Sequence, residues 1–370
     1  MSAPATRFNV TLNGYRGLCA LLVFGFHIGS AGVMPWPGGS VARDAVTFVW
    51  TSLTYGVEMF FMISGYVILG SLLRHATIGG FLKDRFIRIY CAWLPALLAV
   101  TAVCVLLQMK AFADTTPLEG SAIFLANLAL LPPLAPLPMI HQVSWSLTYE
   151  WVFYLLAAAG VLLLRHRIRR RLAVAAWIVL STLFICLFPR ALFFLAGVIV
   201  FVHRDWFASH QRWLRTPLLS MLVFLLAWRY TGIYKAHLND TMLDWLLDGR
   251  WIAALLAFVA ALHMFASVCT DASRQFAFLT SRAFQFLGTI SYSFYLWHSL
   301  VMSVTKRVIA PLIVPEYGAA VGLVIFAFAS FLIALPVSWA SWRLFEVGLA
   351  RLAHRALQPR SLLRSNVSAA

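Results

Sequence analysis

Long apolar segments recur along almost the whole chain, and this feature limits its possible folds more than any other. They carry the length and hydropathy of transmembrane helices, and charged loops separate them. The chain is 62% hydrophobic and only 11% charged, with a mean hydropathy of +0.83, which excludes an ordinary soluble domain of 370 residues. The sequence therefore predicts an all-α polytopic membrane protein with about ten transmembrane helices. The predicted spans are residues 14–33, 48–72, 88–109, 145–164, 172–188, 191–203, 216–233, 250–268, 284–305 and 318–342.

The lysines and arginines predict the orientation of these spans. With a cytoplasmic N-terminus, 21 of the 29 basic residues fall in regions that face the cytoplasm, and the C-terminus is then cytoplasmic too. This role explains the net charge of +16 without a nucleic-acid partner, so membrane lipids are the expected surroundings. We divide the chain into a membrane domain, residues 1–345, and a basic cytoplasmic tail, residues 346–370.

One apolar segment, residues 120–134, is too short to span comfortably and ends at Pro132 and Pro133. A full crossing here would place the arginine cluster at residues 165–171 outside, so we predict a short re-entrant or interfacial helix. The five cysteines are scattered without a CxxC pair, so the sequence predicts neither structural disulfides nor a metal site.

The first span carries a cation at its mouth and an imidazole inside it. Arg16 and His27 are eleven residues apart, which places them on one helix face and roughly 16 Å apart along the axis. Arg16 thus lies near the inner water boundary, and His27 lies about halfway across the hydrocarbon core. An ionisable group at that depth costs several kcal/mol unless it faces a cavity or a partner. A neutral packing histidine is the alternative interpretation of His27.

Further ionisable or hydroxyl groups lie inside the other spans. Glu58 and Ser64 belong to the second span, Glu150 to the fourth, and Tyr295 and His298 share one face of the ninth. Membrane carboxylates and histidines of this kind imply partners or a cavity.

Basic and aromatic residues stand near the two membrane surfaces. Arg85 and Arg88 share a helix face at the inner side, where they can form an anion clamp or serve as snorkelling anchors. Arg190, Trp145 and Tyr149 stand at the outer side, as acceptor-side residues or as interface anchors and an aromatic belt. Together the polar groups predict a tunnel through the bundle, with an anion site at its cytoplasmic end. A proton-coupled transporter with a His/Glu relay is the alternative function, and a structural membrane protein is a third.

A series of motifs in fixed order resembles the integral-membrane acyltransferase 3 family, from about residue 13 to residue 346. The motifs are Arg16–x10–His27, GVEMFFMISGYVI, RFIRIY, WSLTYEWVFYLL, RALFFLAG and SYSFYLWH. The resemblance implies a multi-pass enzyme of the bacterial inner (plasma) membrane. Such an enzyme moves an acyl group, usually acetyl from acetyl-CoA, to a hydroxyl of a surface glycan such as an exopolysaccharide or lipopolysaccharide, or of a lipid-linked oligosaccharide. Cys91 departs from the pattern, because a proline is usual at that place in the family.

The resemblance also implies roles for individual residues. His27 would be the essential histidine with Arg16 as its partner, Arg85 and Arg88 the basic pair near coenzyme A, and Glu150 the acidic residue of the fourth span. As a mechanism we expect direct attack by the acceptor hydroxyl, with His27 as general base. An acyl-His27 intermediate is the second possibility.

Companion roles for the other groups follow from this mechanism. Glu150 or Glu58 is expected to orient His27, and Tyr295, His298 or Ser64 to donate to the oxyanion. The acyl chain length, the acceptor and the oligomeric state stay open.

Overall fold

The computed structural model describes residues 9–31, 40–107, 112, 115–165, 171–232 and 241–357, and within these ranges every regular element is a helix. Fourteen α-helices follow one another in the described residues, and short 3₁₀ turns and one π-helical segment lie between them. They are α1 (Val10–Ser30), α2 (Val41–Ser52), α3 (Gly56–Arg74), α4 (Ile78–Leu106), α5 (Pro117–Leu128), α6 (Ser144–Arg165), α7 (Arg171–Leu187), α8 (Leu192–Val202), α9 (Arg204–Ser209), α10 (Pro217–Tyr230), α11 (Met242–Leu247), α12 (Trp251–Thr270), α13 (Arg282–Ser341) and α14 (Ala350–Ala356).

The polytopic helical fold predicted from the sequence is confirmed, and a helix lies at each of the ten predicted positions. In the described part of the chain, five helical stretches are long and apolar enough to cross a membrane. The pair α7 and α8, bent by 116° around Phe188, makes a sixth if it counts as one broken span. Helix α1 is not among these stretches, because Asn13, Arg16 and His27 make it less apolar. Ten full crossings therefore stay a prediction, as do the orientation and the boundary at residue 345; the end of the tail, residues 358–370, lies outside the described residues.

The short segment before α6 is the helix α5 and a loop that folds back on it. At 12 residues, α5 extends about 18 Å and cannot cross a hydrocarbon core of about 30 Å. Asn127 fixes the loop: its side-chain amide donates to the carbonyl of Pro138 at 2.8 Å, and its side-chain oxygen accepts from the amide of Ile140 at 3.0 Å. The loop is thereby held against α5.

Helices α3 and α8 approach closely at two glycines. A Cβ atom on Gly65 would lie 2.1 Å from the carbonyl oxygen of Phe194, and one on Gly197 would lie 2.0 Å from that of Met62. Such contact is possible only without side chains, as in the small-residue interfaces of membrane helices.

Replacing Gly65 by alanine is expected to destabilise the protein by about 1–3 kcal/mol or more, because the added methyl group must push α3 away from the backbone of α8. Thermal unfolding in detergent measures the loss. The matched control is Gly79→Ala in α4, where a Cβ atom meets no neighbouring atom within 4 Å. An equal effect of the two substitutions would show that the close approach contributes nothing.

Helix α13 consists of two arms that meet at Gly318, whose φ of 80° and ψ of 164° break the helix. A residue with a side chain rarely adopts this conformation. Val301 and Met302 of the first arm share a hydrophobic cluster with Leu323 and Phe326 of the second, so the arms pack side by side. The first arm also packs along α1, and this pairing positions the groups described next.

Candidate active site

A cavity of about 1130 Å³ lies among α1, α3, α4, α6 and the first arm of α13; we call it the inner cavity. Three guanidinium groups line it, those of Arg16, Arg85 and Arg88. Ser64 and Glu150 line it as well. The structure thus brings together six of the predicted site residues, because Tyr295 also belongs to this lining.

The arginine side chains of the inner cavity have few hydrogen-bond acceptors within the protein. Within the described chain, Arg16 and Arg88 make no hydrogen bond or ion pair, and the buried Nε of Arg85 has no partner. Arg85 donates only a long hydrogen bond of 3.4 Å to Ser71 Oγ. A buried donor without a partner costs about 1–3 kcal/mol, and more when charged. The cavity is therefore suited to an anionic ligand, and the phosphates of an acyl-CoA fit this set of donors.

Glu150 forms its hydrogen bonds within the wall of the cavity. Its Oε1 accepts from Ser64 Oγ at 2.7 Å and from the hydroxyl of Tyr154, one helical turn further along α6. Both hydroxyl donors are thereby engaged, so Ser64 is oriented toward Glu150 instead of an oxyanion. Tyr154 is a site residue that the sequence analysis missed, although its i+4 spacing from Glu150 gave a signal.

Tyr295, Phe60 and Ser146 line one part of the inner cavity, which we call its deep end. The rings of Phe60 and Tyr295 meet edge to face at 6.0 Å, and the hydroxyls of Tyr295 and Ser146 are 2.8 Å apart. Ser146, which the sequence analysis did not single out, also donates to the carbonyl of Val143 at 3.0 Å. The deep end thus carries two hydroxyl groups beneath an aromatic pair.

Beyond this aromatic pair, His27 and His298 face each other. His298 Nε2 lies 3.0 Å from His27 Nδ1, and the His298 ring is 6.0 Å from that of Tyr295. Each Nδ1 also contacts a carbonyl oxygen one turn back in its own helix, Val23 for His27 and Phe294 for His298. The two residues are 271 positions apart in sequence, and the packing of α1 on α13 joins them.

The hydrogen bonds assign the tautomers of the pair. A carbonyl oxygen only accepts, so each neutral imidazole carries its proton on Nδ1. His298 then presents an unprotonated Nε2 to the Nδ1–H of His27, which is shared between this nitrogen and the carbonyl oxygen of Val23. His27 is left with an unprotonated Nε2, which is the form that a general base requires.

Two sequence-based expectations about His27 are wrong in this structure. Neither carboxylate orients it: among the described residues, its hydrogen-bond partners are Val23 and His298. His27 does not line the inner cavity with Arg16: the residues of α1 and its N-cap that line it are Asn9, Leu12, Asn13 and Arg16. His298 is likewise an acceptor for His27 and not an oxyanion donor.

The remaining predicted residues form a separate buried cluster around Glu58. Arg190 Nη1 lies 3.4 Å from Glu58 Oε1, and the indole of Trp228 donates to the same oxygen at 3.1 Å. The Arg190 guanidinium also stacks on the ring of Trp145 at 4.8 Å, and Tyr149 packs beside Trp145. None of these residues lines the inner cavity. The ion pair with Arg190 explains why a carboxylate such as Glu58 is found in the interior, and it links α3 to the turn before α8.

Comparison with known proteins agrees with the motif series. A profile of the acyltransferase 3 family, described as an acyltransferase domain, matches residues 9–343. The chain is 26% identical over 328 residues to acyltransferase MdmB of Streptomyces mycarofaciens, a match that covers 80% of each chain. No solved structure matches the chain.

Proposed function

The chain belongs to the acyltransferase 3 family, and on that premise we propose that it is an acetyl-CoA-dependent O-acetyltransferase of the bacterial inner membrane. It transfers the acyl group to a hydroxyl of a surface glycan or a lipid-linked oligosaccharide at the outer side. The observation that carries this proposal is the cationic inner cavity whose lining includes Tyr295, a ring 6.0 Å from that of His298 in the His27–His298 pair. A membrane acyltransferase needs an anion site for its donor and a base for its acceptor, and these two features supply both.

The donor enters the inner cavity from the cytoplasmic side in this proposal. The phosphates of acetyl-CoA bind Arg85 and Arg88, with Arg16 further along the wall, and the uncharged pantetheine arm extends toward Tyr295. A long thin arm suits the separation between the guanidinium groups and His27, which lies three helical turns beyond Arg16 in α1. This geometry favours coenzyme A over a compact acyl donor.

Replacing both Arg85 and Arg88 by alanine is expected to raise the KM for acetyl-CoA by about 10- to 100-fold, because each hydrogen bond to a charged group contributes about 1.5–3 kcal/mol, part of which water replaces. The KM for acetyl-pantetheine, which lacks the nucleotide phosphates, is expected to stay unchanged. Thioester consumption by the purified protein measures both constants. The matched control is Lys83→Ala, an exposed cation on the same helix outside the cavity. Equal losses with the two donors would contradict the phosphate site.

The reaction is direct transfer with His27 as the base. His27 Nε2 accepts the proton of the acceptor hydroxyl while the oxygen attacks the thioester carbonyl carbon. The C–S bond then breaks, and the thiolate of coenzyme A takes the proton from the imidazolium. His298 holds the base in its reactive tautomer through the 3.0 Å hydrogen bond and stabilises the charge that forms.

The thioester reaches His27 when the Phe60 and Tyr295 side chains part. These rings are the barrier between the deep end of the inner cavity and the imidazole pair. When the Tyr295 hydroxyl leaves Ser146, it becomes a donor for the oxyanion of the tetrahedral intermediate. An acyl-His27 intermediate ranks second, and a labelled acyl group trapped on the protein without acceptor would reverse this order.

The transporter hypothesis is less well supported. Family membership favours acyl transfer, and Glu150 belongs to no relay with the histidines because its partners are Ser64 and Tyr154. Consumption of acetyl-CoA that depends on His27 separates the two functions.

A further inference from the structure

A second cavity, of about 1250 Å³, lies on the other side of the histidine pair; we call it the outer cavity. Its walls are the last turns of α4, residues 138–142 and the segment of α13 that follows His298. The predicted orientation places these segments at the outer end of the bundle, because α4 and the first arm of α13 both run outward. Its opening is thus on the membrane side opposite to the three arginines.

The outer cavity ends next to the histidine pair. Ser299, which lines it, directly follows His298 in α13. His141, another lining residue, is only 1% exposed, and its Nε2–H donates to the carbonyl of Leu296 at 2.8 Å. The inner cavity ends at Tyr295, one helical turn before Ser299. Residues that line the two cavities therefore flank His298 in α13, Tyr295 for the inner cavity and Ser299 for the outer cavity.

The lining of the outer cavity is polar but uncharged. Ser299, Ser303 and Gln142 contribute hydroxyl and amide groups, and the α4 wall is apolar. Among the described lining residues there is no lysine, arginine, aspartate or glutamate. Burial lowers the pKa of His141 to about 4, so its imidazole is neutral at physiological pH. This chemistry contrasts with the three guanidinium groups of the inner cavity.

We propose that the outer cavity is the acceptor site, and that it binds an uncharged, hydroxyl-bearing molecule with an apolar face. The proposal rests on the proposed function and replaces the acceptor route past Trp145 and Tyr149, which lie in the Glu58 cluster. Hydroxyl and amide groups of the wall match a sugar-like acceptor, and the apolar α4 wall matches its carbon face. The acceptor hydroxyl approaches His27 from the outer side, while the donor thioester approaches from the inner side.

Two adjacent residues of α13 provide a matched test. Ser303 lines the outer cavity, whereas Val304 is 47% exposed and does not line it. Ser303→Trp is expected to fill the cavity and lower the transfer of labelled acetyl groups to the cells' own glycans and lipids by at least 10-fold. Binding of acetyl-CoA by the purified variant is expected to be unchanged. Val304→Trp is expected to leave both quantities unchanged. If Ser303→Trp transfers as much label as Val304→Trp, the acceptor site lies elsewhere.

A second measurement keeps the test decisive if Ser303→Trp fails to fold. In a Cys104→Ala background, Ser303→Cys is expected to react with a membrane-impermeant thiol reagent added to the outside of intact cells, and the reaction is expected to stop transfer. Val304→Cys is the control, and it is expected to continue to transfer after the same treatment. Transfer that survives complete labelling of Ser303→Cys would overturn the proposal. Transfer that also survives His27→Gln would instead overturn the proposed function.

Discussion

Replacing His27 by alanine is expected to lower acyl transfer by about 10²- to 10⁴-fold, which is the usual contribution of a general base. The hydrogen bonds of the imidazole pair leave Nε2 of His27 unprotonated, whereas Nε2 of His298 is occupied as the acceptor for the Nδ1–H of His27. The measurement is release of free thiol from acetyl-CoA together with transfer of the labelled acetyl group.

Two further variants separate loss of the base from loss of packing. His27→Gln retains a polar side chain of similar size without a titratable nitrogen, so it is expected to be as inactive as His27→Ala while unfolding at nearly the wild-type temperature. His263→Ala, a histidine of α12 that bonds to Ser220 and the Trp213 carbonyl, is expected to retain activity. Substantial activity of a folded His27→Gln protein would exclude His27 as the base.

Replacing Arg190 by alanine is expected to destabilise the protein by about 3–5 kcal/mol, because it leaves the fully buried Glu58 carboxylate without its cation. Part of the loss is expected to be recovered in the double variant with Glu58→Gln, where no buried charge is left to compensate. Thermal unfolding of the purified variants in detergent measures both effects. This result would establish Arg190 as a structural residue and not as a part of the acceptor site.

An exposed ion pair with similar contacts provides the control. Arg204 lies 3.6 Å from Asp205, which is 97% exposed, and its guanidinium also stacks on an aromatic ring, that of Phe201. Arg204→Ala is expected to cost less than about 1 kcal/mol, because water screens and replaces the pair. If Arg190→Ala unfolds like Arg204→Ala but loses acyl transfer, the interpretation of the cluster as structural is wrong.

Sequence reasoning located most helices and most chemically important residues. Apolar length and helical periodicity are local properties, so a helix is found at each of the ten predicted positions, and Arg16 and His27 were placed on one face of α1; the short helices α9 and α11 were not predicted. The i+3 spacings likewise placed Arg85 and Arg88 on one helix face, and Tyr295 and His298 on another, from the sequence alone. The i+4 spacing of Tyr154 from Glu150 would have identified Tyr154 as a partner of Glu150 in the same way.

The partners of these residues were decided by the tertiary structure alone. Helices of a membrane protein are apolar toward the lipid and toward one another, so hydropathy does not tell which face meets which neighbour. The pairing of His27 with His298, of Glu58 with Arg190 and of Glu150 with Ser64 therefore depends on how α1, α3, α6 and α13 pack. For the same reason the sequence predicted one continuous tunnel, whereas packing of aromatic and imidazole rings divides the space into two cavities with different charge.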